Sequence, residues 1–274
     1  MSIFTIDQEK CKRDGICASE CPAKIITQQD KESFPELVEG GDSLCINCGH
    51  CVAVCPQGAM SLKTMASGEC APVQRDLLPT SAAVDHLIRA RRSIRTYSDK
   101  PVERGLLQNL IETASYAPSG HNSQPVHWMV IQEPSEVRRM AGIVVEWMRI
   151  MIEQQPHIAK GYHFDRVVQA WEGGVDRVLR GAPHLIVAHA HKDLPMSQSS
   201  CTIALTSLEL AAFASGLGAC WAGYFNTCAT FYKPMQAALG LLGGHQSFGA
   251  MMIGYPKFRF QRIPLRIPPR VIWR

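Results

Sequence analysis

The stretch Cys45-Ile46-Asn47-Cys48-Gly49-His50-Cys51-Val52-Ala53-Val54-Cys55-Pro56 decides the reading of the front of the chain. Its spacing, Cys-x2-Cys-x2-Cys-x3-Cys-Pro, lets three thiolates wrap one [4Fe–4S] cube while the fourth reaches a neighbouring cube. The same pattern occurs 34 residues earlier, where Cys11, Cys17, Cys21 and Pro22 stand in register with Cys45, Cys51, Cys55 and Pro56. The front segment is therefore an internal repeat with two metal-binding halves. By the crossing rule, one cluster takes Cys45, Cys48, Cys51 and Cys21, and the other takes Cys11, Cys17 and Cys55. The fourth position of the second set falls on Asp14, where the repeat asks for cysteine.

Working outward, seven of the eleven cysteines lie within the first 55 residues. In a reducing compartment such crowding points to metal or cluster binding and away from disulfides. A zinc site built from cysteine pairs is the bland alternative, but zinc sites require neither the Cys-Pro ending nor a seventh thiolate. Asp14 leaves four readings open. It is a weak oxygen ligand, or a corner lost to leave a [3Fe–4S] centre, or a corner open to an exogenous ligand, or a bystander in the Asp14-Gly15 turn. If oxygen does ligate, the second cluster has a different potential from the first.

The chain has 274 residues, 46% of them hydrophobic and 19% charged, which gives room for about two domains with a buried core. The most hydrophobic stretch, 201–221, carries Glu209 and several hydroxyls, so no membrane span is expected. Residues 1–10 lack a basic segment followed by an apolar one, so a cytoplasmic location without a secretory signal is expected. Charge is unevenly spread: residues 1–63 hold six Lys/Arg and nine Asp/Glu, and the remainder holds 22 and 15, which accounts for the net +4. An acidic electron-carrier module joined to a basic domain that takes an anionic ligand fits this division. The basic residues form no run interleaved with aromatics, so no nucleic-acid partner is expected.

Residues 64–80 are rich in Ala, Ser, Gly and Pro and read as a linker, with Cys70 an incidental thiol. A helix starts at Thr80/Ser81 and is closed by Arg91-Arg92-Ser93-Ile94-Arg95; further helices are predicted near 102–117, 135–154, 199–215 and 230–239. Strands are predicted at 126–132, 185–189, 219–222 and 248–254. Helices separated by single strands predict an α+β or α/β layer around a central sheet.

The N-terminal pattern resembles the bacterial two-cluster ferredoxins over roughly residues 4–63. Downstream, Arg91-Arg92-Ser93-x-Arg95, Ala117-Pro118-Ser119-Gly120-x-Asn122-Ser123-Gln124-Pro125 and Gly218-x-x-Trp221-Ala222-Gly223-Tyr224-Phe225 follow in order. With the tail Gly254-Tyr255-Pro256-Lys257 through Arg262-x-Pro264-x-Arg266, they resemble the FMN-dependent nitroreductase family over 81–274. Together the two resemblances match ferredoxin-fused nitroreductases. They imply an α+β fold: a ferredoxin-type domain at 1–63, a linker at 64–80, and at 81–274 a three-layer nitroreductase-type domain with a central mixed sheet.

The resemblance also implies the cofactors, FMN and two iron–sulfur clusters, one of them [4Fe–4S] and the other [4Fe–4S] or [3Fe–4S]. It implies FMN contacts at Arg91, Arg92, Ser93, Arg95, Gln124, Ala222, Gly223, Arg262 and Arg266, with Pro118, Ser119, Gly120 and Asn122 serving the flavin of a neighbouring subunit in a homodimer. The residue chemistry agrees, because guanidinium groups bind phosphate oxygens bidentately, amide side chains both donate and accept, and glycine lets the backbone approach flavin N5. The bland readings are a helix C-terminal charge complement for Arg91 to Arg95 and an ordinary capping turn after Pro118.

The activity implied is an oxidoreductase that reduces a small electron-poor acceptor, such as a nitroaromatic or a quinone, with no nucleophile or acid–base dyad of its own. The electron donor is a ferredoxin or NAD(P)H. A relay subunit passing electrons through FMN to a protein partner is the alternative. His189-x-His191 reads as a packed or surface pair more than a metal site. Met140, Trp147, Met148 and Met151 read as core or as a lid, and Cys201, Cys220 and Cys228 as buried inert thiols.

Overall fold

The computed structural model describes residues 2–274. The chain divides into two compact units, Met1–Leu78 with Gly120–Ser123, and Pro79–Ser119 with Gln124–Arg274.

In the first unit, β1 (Phe4–Ile6) pairs antiparallel with β4 (Met60–Leu62), and β2 (Ile26–Thr27) with β3 (Glu36–Leu37). Between them lie three short helices, α1 (Ile16–Glu20), α2 (Gly41–Leu44) and α3 (His50–Val54). The sequence repeat is written into the backbone. Arg13 and Asn47, Gly15 and Gly49, and Lys24 and Gly58 are pairs 34 residues apart, and all six adopt φ between 51° and 71°. Gly15 and Gly49 take that left-handed step just before α1 and α3, at little steric cost for glycine. Each helix stops at a cysteine that precedes proline: Cys21 and Cys55 have ψ of 115° and 113°, the extended conformation that proline imposes on the residue before it. Phe4, Ile25, Ile26, Val52, Met60 and Leu62 form the core together with Cys17, Cys21 and Cys51. Residues 67–69 and 75–77 form single 3-10 turns.

The second unit is built on a four-stranded sheet of β5 (His127–Ile131), β6 (His184–His191), β7 (Gly218–Trp221) and β8 (His245–Gly254), in the order β5-β6-β8-β7. All three ladders are antiparallel, and one parallel bridge joins Ser93 to Ala219 beside β7. Successive side chains of the central strands alternate between two cores. Leu185, Val187, Ala250 and Met252 face α6 (Pro134–Gln154), α8 (Phe164–Glu172), α10 (Gly223–Phe231) and α11 (Lys233–Leu239). Ile186, Ala188, Met251 and Ile253 face α5 (Arg104–Ser115) and α9 (Ser197–Ala214). The result is three layers with both sheet faces covered, which explains why β6 and β8 read as nearly unbroken apolar runs. The outlying helices are α4 (Ser81–Ala90), capped by Thr80 Oγ1 accepting from Ala83 N at 3.2 Å, and α7 (Pro156–Gly161).

Two differences from the periodicity reading have local causes. The helix read over 230–239 is two helices, α10 and α11, broken at Tyr232 because the ring of Pro234 holds the chain at the start of a new helix. The helices α7 and α8 were not read from sequence: α7 has only six residues, too few for a period to show, whereas α8 does carry an apolar stripe, Phe164, Val167, Val168 and Trp171, at helical spacing. No helix among the described residues is long and apolar enough to cross a membrane.

Candidate functional site

Two separate hollows of the first unit are lined by cysteines. Cys21, Cys45, Cys48 and Cys51 line one, with Pro22, Ile26 and Leu62 as apolar walls. Cys11, Asp14, Cys17 and Cys55 line the other, with Ile6, Pro35 and Met60. Local structure brings distant cysteines together: α1 and α3 each carry one thiol inward, and the Cys-Pro break sends Cys21 and Cys55 to the opposite hollow. Asp14 Oδ1 also accepts from Ile16 N at 3.2 Å, which turns the chain into α1 and leaves Oδ2 without a donor among the described residues. Ala59 N–H donates to Cys55 Sγ at 3.3 Å, the kind of contact that tunes cluster potentials. Burial pushes the Cys51 thiol up to about 11 and the Cys17 thiol upward, with the surrounding cysteines adding to it. Thiols so reluctant to ionise alone become thiolates when a metal supplies the positive charge. This donor set fits iron–sulfur clusters.

The second unit contains a cavity of about 860 Å³. Its walls are apolar and aromatic: Trp147 and Met151 from α6, Tyr162 and Phe164 around the start of α8, Trp221 at the end of β7, and Tyr224 and Phe231 from α10. The rings interlock, with Phe164 packed at 5.4 Å against Trp147 and edge-on at 5.9 Å to Tyr224. Trp147 and Met151 therefore serve both core and wall, whereas Met140 and Met148 are wholly core.

Three guanidinium groups, of Arg95, Arg177 and Arg180, line this cavity, and no Asp, Glu or His does. Arg95 is aimed by a close backbone approach. Ile94 N donates to Ala219 O at 2.9 Å, alongside the Ser93 bridge, and a Cβ on Gly218 would stand only 2.5 Å from the Ile94 side chain. The buried Tyr97 hydroxyl donates to Ile94 O at 2.7 Å and locks the turn; burial raises the pKa of that phenol. At the other wall, Gly223 lines the cavity and opens α10, and a Cβ there would meet nothing within 4 Å; as the first residue of the helix its N–H has no acceptor within the helix. Ala222 is buried just before it, tied by its N–H to Ala250 O at 2.9 Å. A roomy aromatic slot with unpaired cations and an exposed helix start fits a planar aromatic group carrying a phosphate, as FMN does.

The remaining sequence-derived site residues are distributed elsewhere. Arg91 reaches Glu209 on α9, Nη1 to Oε1 at 2.6 Å, with the Glu209 side chain only 8% exposed. Arg92 and Ser93 are half-buried beside it, and Arg262 and Arg266 lie on the exposed tail. Pro118, Ser119 and Gln124 line a different, smaller hollow of about 110 Å³, into which the buried Ser200 Oγ also faces without a hydrogen-bond partner. Gly120 and Asn122 belong to the segment grouped with the first unit, where Asn122 Nδ2 donates to Asn47 O at 2.9 Å. His121, Asn122 and Gln124 all have φ between 43° and 52°, a concentration of left-handed residues that this turn must hold in place. Burial pushes the Cys201 and Cys228 thiols up to about 12, and it raises Cys220 as well.

Arg177, Arg180 and Ser200 were not found from sequence. None lies in a motif, and each becomes part of a site only through the fold.

Comparison with known proteins gives two family matches. The nitroreductase family matches residues 88–255, and the 4Fe-4S dicluster domain matches residues 9–60. An NADH dehydrogenase of Thermus thermophilus is 28% identical over 201 residues, covering 67% of this chain and 92% of that protein. A nitrobenzene nitroreductase of Ectopseudomonas oleovorans is 38% identical over 80 residues, which cover 29% of this chain and about a third (34%) of that enzyme. In structure, a Bacteroides fragilis nitroreductase with bound FMN superposes with a TM-score of 0.60 at 19% identity, covering 70% of this chain and 98% of that one. That last likeness concerns the fold.

Proposed function

The chain belongs to the nitroreductase family, and on that premise we propose that it is an FMN-dependent oxidoreductase that exchanges electrons between iron–sulfur clusters and FMN to reduce a small electron-poor compound such as a nitroaromatic or a quinone. The observation that carries the reading is the cavity that unites Arg95, Gly223 and aromatic walls, in a chain whose front carries one hollow lined by four cysteines and another lined by three cysteines and Asp14. The nitrobenzene nitroreductase among its relatives supports the substrate class.

Bound FMN supplies one- and two-electron chemistry, and bound clusters supply single electrons. Cys21, Cys45, Cys48 and Cys51 would hold one cluster, and Cys11, Asp14, Cys17 and Cys55 the other. Arg91, Arg92, Ser93 and Arg95 would hold FMN together with Gln124, Ala222, Gly223, and Arg262 and Arg266 of the tail. Pro118, Ser119, Gly120 and Asn122 would serve a neighbouring subunit's site in a homodimer. A ferredoxin or NAD(P)H would supply the electrons.

Reduction of a nitro group to a nitroso group consumes one electron pair and two protons and releases water. No carboxyl or imidazole lines the cavity to act as an acid. The chain's contribution is therefore placement and electrostatics: Trp147, Phe164 and Tyr224 fix a planar ring and exclude water, and Arg95 offsets the negative charge that accumulates on reduction.

Stoichiometrically reduced, anaerobic protein mixed with nitrobenzene tests this. An enzyme gives a reoxidation rate that saturates with nitrobenzene and is nearly insensitive to salt. A rate that stays negligible until a protein partner is added, and that falls with ionic strength, identifies a relay and overturns the reading.

A further inference from the structure

We propose that the loop 176–181 is an oxyanion-receiving site in which Arg177 and Arg180 select aromatic acids over neutral electron-poor aromatics. This inference rests on the proposed reductase activity and names its substrate class.

The loop is held from within. The Asp176 carboxylate accepts three backbone N–H groups, from Val178 at 2.8 Å and Leu179 at 2.9 Å on Oδ1 and from Gly181 at 3.1 Å on Oδ2. Val178 and Leu179 are 3% and 0% exposed and packed in the core, Val178 also forming part of the cavity wall. Anchored by these two, the exposed Arg177 and Arg180 are held at the cavity, which both line. Arg180 adopts φ 60°, a left-handed conformation that costs a side-chain-bearing residue energy, so the loop spends conformational energy to put a guanidinium there.

Neither cation is spoken for. Among the described residues no carboxylate lies within ion-pair distance of Arg177 or Arg180. The one acidic residue of the loop, Asp176, spends both oxygens on backbone, and the cavity lining contains no Asp or Glu. Arg13, Arg89, Arg91, Arg139 and Arg149 are each paired with a carboxylate, and among the unpaired arginines Arg177 and Arg180, with Arg95, are the ones that line the cavity. Two unpaired guanidiniums beside aromatic walls match a planar ring that bears a carboxylate, because guanidinium binds such an oxyanion through paired N–H donors and the ring fills the slot.

The same chemistry would serve the phosphate of FMN. The loop is assigned to substrate because a separate element, the 91–95 segment, brings its own guanidinium, Arg95, to the cavity, with Arg92 and Ser93 half-buried next to it along the chain.

The test uses holoprotein carrying Arg177→Gln, Arg180→Gln, both together, and the conservative Arg→Lys pair. Reduction is compared for 4-nitrobenzoate and its methyl ester, and oxidised protein is titrated with benzoate and benzamide, which are not reduced, by perturbation of the flavin spectrum. The double glutamine variant is expected to lower the kcat/KM ratio of acid to ester, and the affinity ratio of benzoate to benzamide, by roughly tenfold or more, with partial rescue by lysine. Its FMN content is expected to match that of the parent. Unchanged ratios overturn the proposal. So does loss of FMN with retained riboflavin binding, which would assign the loop to the phosphate. Failure of the parent protein to reduce either nitro compound while still preferring benzoate overturns the reductase reading and leaves the anion site standing.

Discussion

Arg91 shows how a single residue divides between structure and site. The sequence places it in an Arg-rich segment beside the flavin, and the fold joins it to Glu209, 118 residues away, in a nearly buried ion pair. Removing one partner of such a pair leaves a charge buried without compensation. Arg91→Ala is therefore expected to destabilise the second unit by about 3 kcal/mol in chemical denaturation, whereas a loss well under 1 kcal/mol would mean that Glu209 finds water or another cation. Asp14 is the corresponding residue of the first unit. It stands at the lip of a hollow with three cysteines, with one carboxylate oxygen turned to the backbone of Ile16 and the other without a donor among the described residues. Asp14→Cys completes the repeat, so two cubane signals are expected by electron paramagnetic resonance; a spectrum identical to the parent's would place residue 14 away from the metal. The cysteine grouping was legible because cluster spacing is local along the chain. The partner of Arg91 and the cavity positions of Arg177 and Arg180 were not, because long-range contacts decide them and no spacing encodes those.

At the scale of elements, the sheet gathers four histidines that sequence reading saw only as a pair. His127 on β5 lies opposite His189 on β6, and His191 on β6 lies opposite His245 on β8. His189 Nδ1 approaches His245 Nδ1 to 3.1 Å, the His127 and His245 rings meet edge-on at 4.8 Å, and Asp193 lies 3.8 Å from His191. Burial pushes His189 down to about 4, and the imidazoles of His245 and His127 push in the same direction. Since the unfolded chain protonates this residue near its ordinary value of 6.5, the unfolded state binds more protons between pH 6.5 and 4. His189 thus costs nothing above that window, and stability falls progressively as the pH drops through it. The urea midpoint is expected to fall between pH 7 and pH 5 in the parent and to fall less in His189→Gln, and an equal fall in both would assign the acid sensitivity elsewhere. The strands themselves were readable, because β6 and β8 are apolar on both faces. Their pairing was not, and with it the histidine cluster stayed hidden. The start of α10 was also missed, since Gly223 looks like loop in sequence and only the fold shows it beginning a helix.

At the scale of the molecule, the division into two compact units separates the cysteine hollows from the aromatic cavity, each assembled from residues of its own unit. Cys48→Ala removes one donor of the first hollow. It is expected to abolish one cluster signal while the flavin content and the unfolding transition of the second unit stay as in the parent. Loss of flavin along with the cluster would show that the units depend on each other to fold. The central claim is that one polypeptide carries both redox centres and lets them share electrons. An anaerobic reductive titration of the purified protein tests it most directly, following the yellow flavin absorption and the cluster paramagnetic signal in the same sample as electrons are added one equivalent at a time. Both signals are expected to respond and to re-equilibrate after each addition. A protein that shows clusters without flavin, or a flavin whose reduction never alters the cluster signal, would contradict it.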